Sequence, residues 1–132
     1  VELNNARRLT LRHYSKGMLE RIGLAASLIN DPKILILDEP TTGLDPIGCR
    51  DTRNLLIKLK QQGKTILLSS HFLSEVERVC ERIAIFHRGH LLATGTLDAL
   101  NKQYQAENLE DLFVKTIYAF DNQEAVKTGE PK

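Results

Sequence analysis

The sequence predicts an α/β fold with a parallel sheet at its centre. Two segments carry that prediction. Ile34, Leu35, Ile36 and Leu37 form an unbroken apolar run, and Ile66, Leu67 and Leu68 form the centre of another short segment from Thr65 to Ser69. Both are of strand length, and their continuity predicts strands buried on both faces. Between them Leu55, Leu56 and Leu59 recur at helical spacing, and Gly63 marks the end of that helix. Strand, helix and strand at this spacing make one parallel βαβ unit.

The other elements follow in order. Residues 1–13 are mixed and polar and read as a helix or a helix and loop. Met18, Ile22, Ala25, Ala26 and Ile29 then recur at helical spacing, with Ser15 as the N-cap and Asn30, Asp31 and Pro32 as the stop. Gly43, Asp45 and Pro46 make residues 41–47 a loop. Residues 72–80 form a helix with Leu73, Val76, Val79 and Cys80 on one face. Two short strands, Ile83 to Phe86 and Leu91 to Ala93, flank Arg88 and Gly89 and predict a tight hairpin, with His87 and His90 solvated beside the turn. Thr96 caps a short helix through Leu100, and Asn108 caps another with Leu109, Leu112, Phe113 and Ile117 on its apolar side. The last ten residues or so are polar and predict a frayed end.

Composition excludes several classes. A chain of 132 residues makes one domain at most, and 42% hydrophobic with 27% charged residues is ordinary for a globular chain. The formal net charge of +1 gives no electrostatic footprint for nucleic acid or an anionic membrane. The strongest apolar stretch, residues 22–29, is far too short to cross a bilayer, and no signal peptide is visible. Cys49 and Cys80 have no metal-ligand spacing and read as free thiols in a reducing compartment. His13, His87 and His90 lack such spacing too. Because the chain starts at Val1, the beginning of the protein is expected to be missing.

Chemistry concentrates at the ends of the two strands. Asp38 and Glu39 directly follow the first strand, and in open parallel sheets ligands bind beyond the carboxyl ends of strands. Mg²⁺ takes a hard oxygen ligand and keeps most of its waters, so one Asp suffices for it. A neighbouring Glu can orient an attacking water or take its proton. His71 follows the second strand in the same way and reaches the same rim, where it could donate to a phosphate oxygen or hold the Glu. Ser15, Lys16 and Gly17 open a helix whose free N–H groups suit a phosphate. Singly, each has a plain structural explanation: an acidic turn cap, a surface histidine, an ordinary helix start.

Together and in this order they resemble the ABC ATPase family from about Tyr14 to about Gly95. Tyr14-Ser15-Lys16-Gly17-Met18 is similar to its signature motif, with Lys16 for the commoner Gly and Met18 for the commoner Gln. Ile34-Leu35-Ile36-Leu37-Asp38-Glu39-Pro40 resembles its Walker B strand, Thr41-Thr42-Gly43-Leu44-Asp45-Pro46 its D-loop region, and Ser69-Ser70-His71 its switch histidine. The resemblance implies a partial P-loop NTPase fold in three layers. Residues 1–30 would end the helical subdomain, 31–95 would form the C-terminal part of the RecA-like core, and 96–132 would be C-terminal helices and a polar tail. It implies ATP and Mg²⁺ as cofactors, with Asp38 holding Mg²⁺ through water, Glu39 as general base and His71 sensing the γ-phosphate. Ser15 and Gly17, with Lys16 and Met18 in the same motif, would face ATP bound to a second ABC domain, and Asp45 would touch that domain. Membrane permease subunits are the other implied partners, nucleic acid is not, and the place is the cytoplasmic face of the membrane. The signature and the segment 108–113 look most like exporters of the ABC-2 kind.

The phosphate-binding loop is missing. Gly63-Lys64-Thr65 invites a match to G-x-x-x-x-G-K-[ST], but the first glycine would fall on Lys58, and the triplet precedes a strand instead of following one. The family's Q-loop glutamine is also expected upstream. Two other readings remain: a short, catalytically dead partner that lends only its signature face, and a soluble ABC ATPase acting on ribosomes or DNA.

Overall fold

Alternating apolar runs and helical stripes become nine regular elements among the described residues, which are residue 3 and residues 8–128 of the computed structural model. They divide into two units, Val1–His71 and Phe72–Lys132. Of the reading for residues 1–13, the described part holds a single 3₁₀ turn at Leu11–His13, and residues 1, 2 and 4–7 lie outside the described residues.

In the first unit, α1 (Lys16–Ser27) begins at an extended Ser15 whose hydroxyl accepts from the Met18 amide at 3.3 Å. β1 (Ile34–Asp38) pairs in parallel with β2 (Thr65–Ser69), from Ile34 opposite Thr65 to Asp38 opposite Ser69. The expectation of two buried faces is corrected here. Leu35 is buried, but Ile34, Ile36 and Leu67 on the other face are exposed, Ile36 at 76%. The physical reason is that α2 (Pro46–Gln61) packs against β2 through a single stripe, Gly48, Thr52, Leu56 and Leu59, and covers one side only.

That helix starts earlier than the loop reading of residues 41–47 allowed. Asp45 is its N-cap, with Oδ1 accepting from the Gly48 amide at 2.8 Å, and Pro46 opens it with a fixed φ and no amide to waste. Its far end closes at Gly63, where φ is +85°. The Lys64 ammonium next to it donates to the Asp31 carboxylate and to the Pro32 carbonyl, so this lysine ties the start of β2 to the turn before β1. The Gly63-Lys64-Thr65 triplet is therefore a helix stop and a structural tie.

The second unit holds α3 (Leu73–Val79), an antiparallel hairpin of β3 (Arg82–His87) and β4 (His90–Thr96), α4 (Leu97–Tyr104) and α5 (Leu109–Thr128). Arg88 and Gly89 both have positive φ, +46° and +79°, as a two-residue hairpin turn of the mirror-image kind requires. Thr96 and Asn108 cap as expected, and Glu77 Oε1 adds a second cap by accepting from the Leu109 amide at 2.7 Å. Two expectations are corrected. α4 runs on to Tyr104, and α5 continues to Thr128, so residues 123–128 of the end expected to fray are helical, while 129–132 lie outside the described residues. The hairpin histidines are not simply solvated either. His87 Nε2 lies 3.3 Å from Asp121 Oδ1, and the His87 and His90 rings pack on Phe120 at 5.8 and 5.1 Å. An aromatic edge and a carboxylate on α5 offer both rings more than water does.

The core of this unit is Ile85, Ala93, Leu100, Leu109 and Leu112. Leu112 is 0% exposed. Leu112→Ala is expected to destabilise the unit by about 2–5 kcal/mol, read as a lower urea midpoint at unchanged slope. Cys49 and Cys80 form no disulfide and are half-buried. No helix among the described residues is long and apolar enough to cross a membrane.

Candidate functional site

The in-register pairing of β1 and β2 ends both strands level, so Asp38 and Ser69 are direct neighbours. The Ser69 hydroxyl donates to Asp38 Oδ1. The Glu39 amide lies 3.2 Å from the Ser69 carbonyl and 3.1 Å from its hydroxyl oxygen, so both accept from it. Glu39 itself has φ of +48°, in the left-handed region. A non-glycine residue held there costs on the order of 1–2 kcal/mol, which the local bonds must offset. With this kink the Glu39 carboxylate reaches the loop after β2.

There the carboxylate meets its partners. Glu39 Oε2 accepts from the Thr42 hydroxyl at 3.0 Å and lies 2.8 Å from His71 Nδ1. The hydrogen bond from His71 is the largest influence lowering the Glu39 pKa; burial, next in size, opposes it, and Thr42 and the His71 charge add to the lowering. Both groups are partly solvated, so the pair orients more than it stabilises. An ionised carboxylate only accepts, so Nδ1 carries the hydrogen in this contact. Asp38, Glu39 and His71 are thus brought to one rim.

Ser15, Lys16, Gly17 and Met18 open α1 and meet the loop that follows Thr42. The Lys16 side chain lies over Gly43, where an added Cβ would come within 2.8 Å of Lys16 Cδ and where φ is +80°. A Cβ on Gly17 would meet Leu44 Cδ2 at 3.0 Å. Glycine at both places lets the first turn of α1 sit on the loop before α2. Asp45, expected to reach outward, uses one carboxylate oxygen in this structure to cap α2.

Two contributors escaped the sequence reading, Ser69 and Thr42. Ser69 could have been found by aligning the two runs in parallel, since equal lengths put it opposite Asp38. Thr42 could not, because its contact depends on the kink at Glu39. The Asp38 carboxylate and Ser69 hydroxyl are hard oxygens suited to Mg²⁺ held largely by water and phosphate. No group of three or more His, Cys, Asp or Glu suited to hold a metal occurs among the described residues, so an all-protein cage is absent from them.

Comparison with known proteins follows this geometry. The family model described as "AAA domain, putative AbiEii toxin, Type IV TA system" matches residues 1–77, more than half of the chain. An uncharacterized ABC transporter ATP-binding protein of Synechocystis sp. is 54% identical over 92 residues, 70% of this chain and 26% of that protein. The lantibiotic transport ATP-binding protein SrtF of Streptococcus pyogenes is 46% identical over 114 residues, 86% of this chain and 47% of that protein. The chain belongs to this AAA-domain family, among the ABC transporter ATP-binding proteins. A solved structure titled "Structure of ATP binding subunit of ABC transporter" matches with a TM-score of 0.74 and 34% identity, over 80% of this ABC chain and 45% of that one. The chain spans about a quarter to a half of the length of these ABC relatives. The mixed α/β architecture with its parallel strand pair agrees with that fold.

Proposed function

We propose that the chain is the C-terminal part of an ATP-hydrolysing ABC transporter subunit, and that its strand tips supply the hydrolytic half of the site. The observation that carries this is the 2.8 Å approach of His71 Nδ1 to Glu39 Oε2, beside Asp38. Glu39 orients the attacking water and accepts its proton. Thr42 and His71 hold its carboxylate in one orientation, which matters because positioning dominates phosphoryl transfer. His71 senses the terminal phosphate. Asp38 holds Mg²⁺ through water, and the ion supplies neutralisation of phosphate charge when bound.

The first turn of α1 serves a second ABC domain. Ser15, Lys16, Gly17 and Met18 present the amino-terminal end of that helix to the ATP of the partner, and Asp45 lies at the joint. Two such domains closing head to tail would move permease subunits from the cytoplasmic face of a membrane. Relatives named for lantibiotic and bacitracin transport support the transporter reading, and an export direction rests on the resemblance of the signature and of residues 108–113. The intact Glu39 and His71 pair argues for a catalytic partner over a dead one.

Most β- and γ-phosphate contacts belong to a phosphate-binding loop that this sequence lacks. The 132 residues alone are therefore expected to bind MgATP very weakly and not to hydrolyse it, whereas the complete subunit does both. Titration calorimetry decides: micromolar MgATP binding by the chain alone would overturn this division of labour.

A further inference from the structure

Arg21 lies one helical turn beyond Gly17, on the same stripe of α1. Its Nη2 is 3.8 Å from Asp51 Oδ2, with the two side chains 21% and 29% exposed. A Cβ on Gly48 would come within 3.2 Å of the same Nη2, so glycine in the first turn of α2 makes room for the guanidinium. Helix stability does not explain a cation there. The amino end of a helix favours negative charge, and Arg21 sits against the opening turns of α2. Asp51 offsets this, and it is shared with Arg50, whose Nη2 is 3.5 Å from Oδ1. With Lys16 over Gly43 and Gly17 on Leu44, the arginine completes a line of contacts between the phosphate-facing end of α1 and the segment from Gly43 to Asp51.

We infer that Arg21 is a positioning residue: through Asp51 and Gly48 it fixes the first turn of α1 relative to the Asp45 turn, so that both reach the partner domain in register. Arg21 touches no reacting atom. Thr42 extends the same segment back to Glu39, which connects the chain's own carboxylate to the helix end it lends. The inference rests on the function proposed above and adds to it which residue sets the geometry of the lent face.

The test uses the complete subunit, with Glu39→Gln as the control for the reading itself. Arg21→Gln and Asp51→Asn are each expected to lower kcat about fivefold with KM for ATP unchanged, and the double variant to be no worse than the worse single one, as contact partners behave. Additive losses, a change confined to KM, or an unchanged kcat overturns the inference. If Arg21→Gln does not fold, Arg21→Lys takes its place in the same cycle and is scored the same way. A wild-type subunit without ATPase activity would sink the proposed function and this inference together. An active one that Glu39→Gln silences, with additive losses in the cycle, sinks the inference alone.

Discussion

Glu39→Gln in the complete subunit is expected to lower ATP turnover by about 10²–10⁴-fold, the usual worth of a positioned proton acceptor, while nucleotide still binds. The substitution is chosen because it keeps the shape. A glutamine carbonyl oxygen can still accept from Thr42 and from His71 Nδ1, so the kinked backbone and its neighbours stay in place. Only the ability to take a proton is lost. Steady-state phosphate release reads the effect, and calorimetry on the same variant reads binding. Retained turnover would remove Glu39 from the role of base. The pH dependence has a definite sign. The Glu39 carboxyl is held below its ordinary range, chiefly by the His71 hydrogen bond. Its contribution to stability is present above the unfolded pKa and is lost as pH falls through the lower folded one. The carboxylate thus stays ionised through the neutral range. The same lowering makes it a weaker base at rest, so orientation of the water is the larger part of what its hydrogen bonds achieve.

How far the sequence revealed this arrangement depended on whether the signal was local. The strands were legible because a short apolar run bounded by polar residues has few alternatives, and their tips followed from the parallel connection. The caps at Ser15, Thr96 and Asn108 were legible because a capping side chain bonds within three residues of itself. What depends on distant partners was not. A continuous apolar run does not state how many faces are covered, so Ile34, Ile36 and Leu67 were assigned to a buried sheet that covers only one side. The end of α5 has no strong apolar stripe, and its order shows in contacts such as those of Phe120 and Asp121 with the hairpin. Thr42 was invisible for a similar reason. Its bond to Glu39 exists because Glu39 adopts a positive φ that sequence gives no reason to expect.

His71→Ala tests the other half of the pair, and its expected effect is a loss of about 10²–10³-fold in kcat, the scale of removing one preorganised donor from a charged transition state. The geometry explains why one ring should matter so much. Because Nδ1 donates to Glu39, the ring is held in one orientation at the strand tips. A polar ring so held stands ready where negative charge develops on the transferred group, and its worth grows with that charge. Alanine removes the ring and also the main influence that lowers the Glu39 pKa, so the carboxyl of the variant should titrate nearer its ordinary range. The two consequences separate by measurement. Loss of the phosphate contact lowers kcat at every pH, whereas relaxation of Glu39 moves the acid limb of the pH–rate profile upward. A variant with wild-type kcat and an unmoved acid limb would mean that His71 is a surface residue that happens to meet Glu39, and the rim would have to work through Asp38 and Glu39 without it.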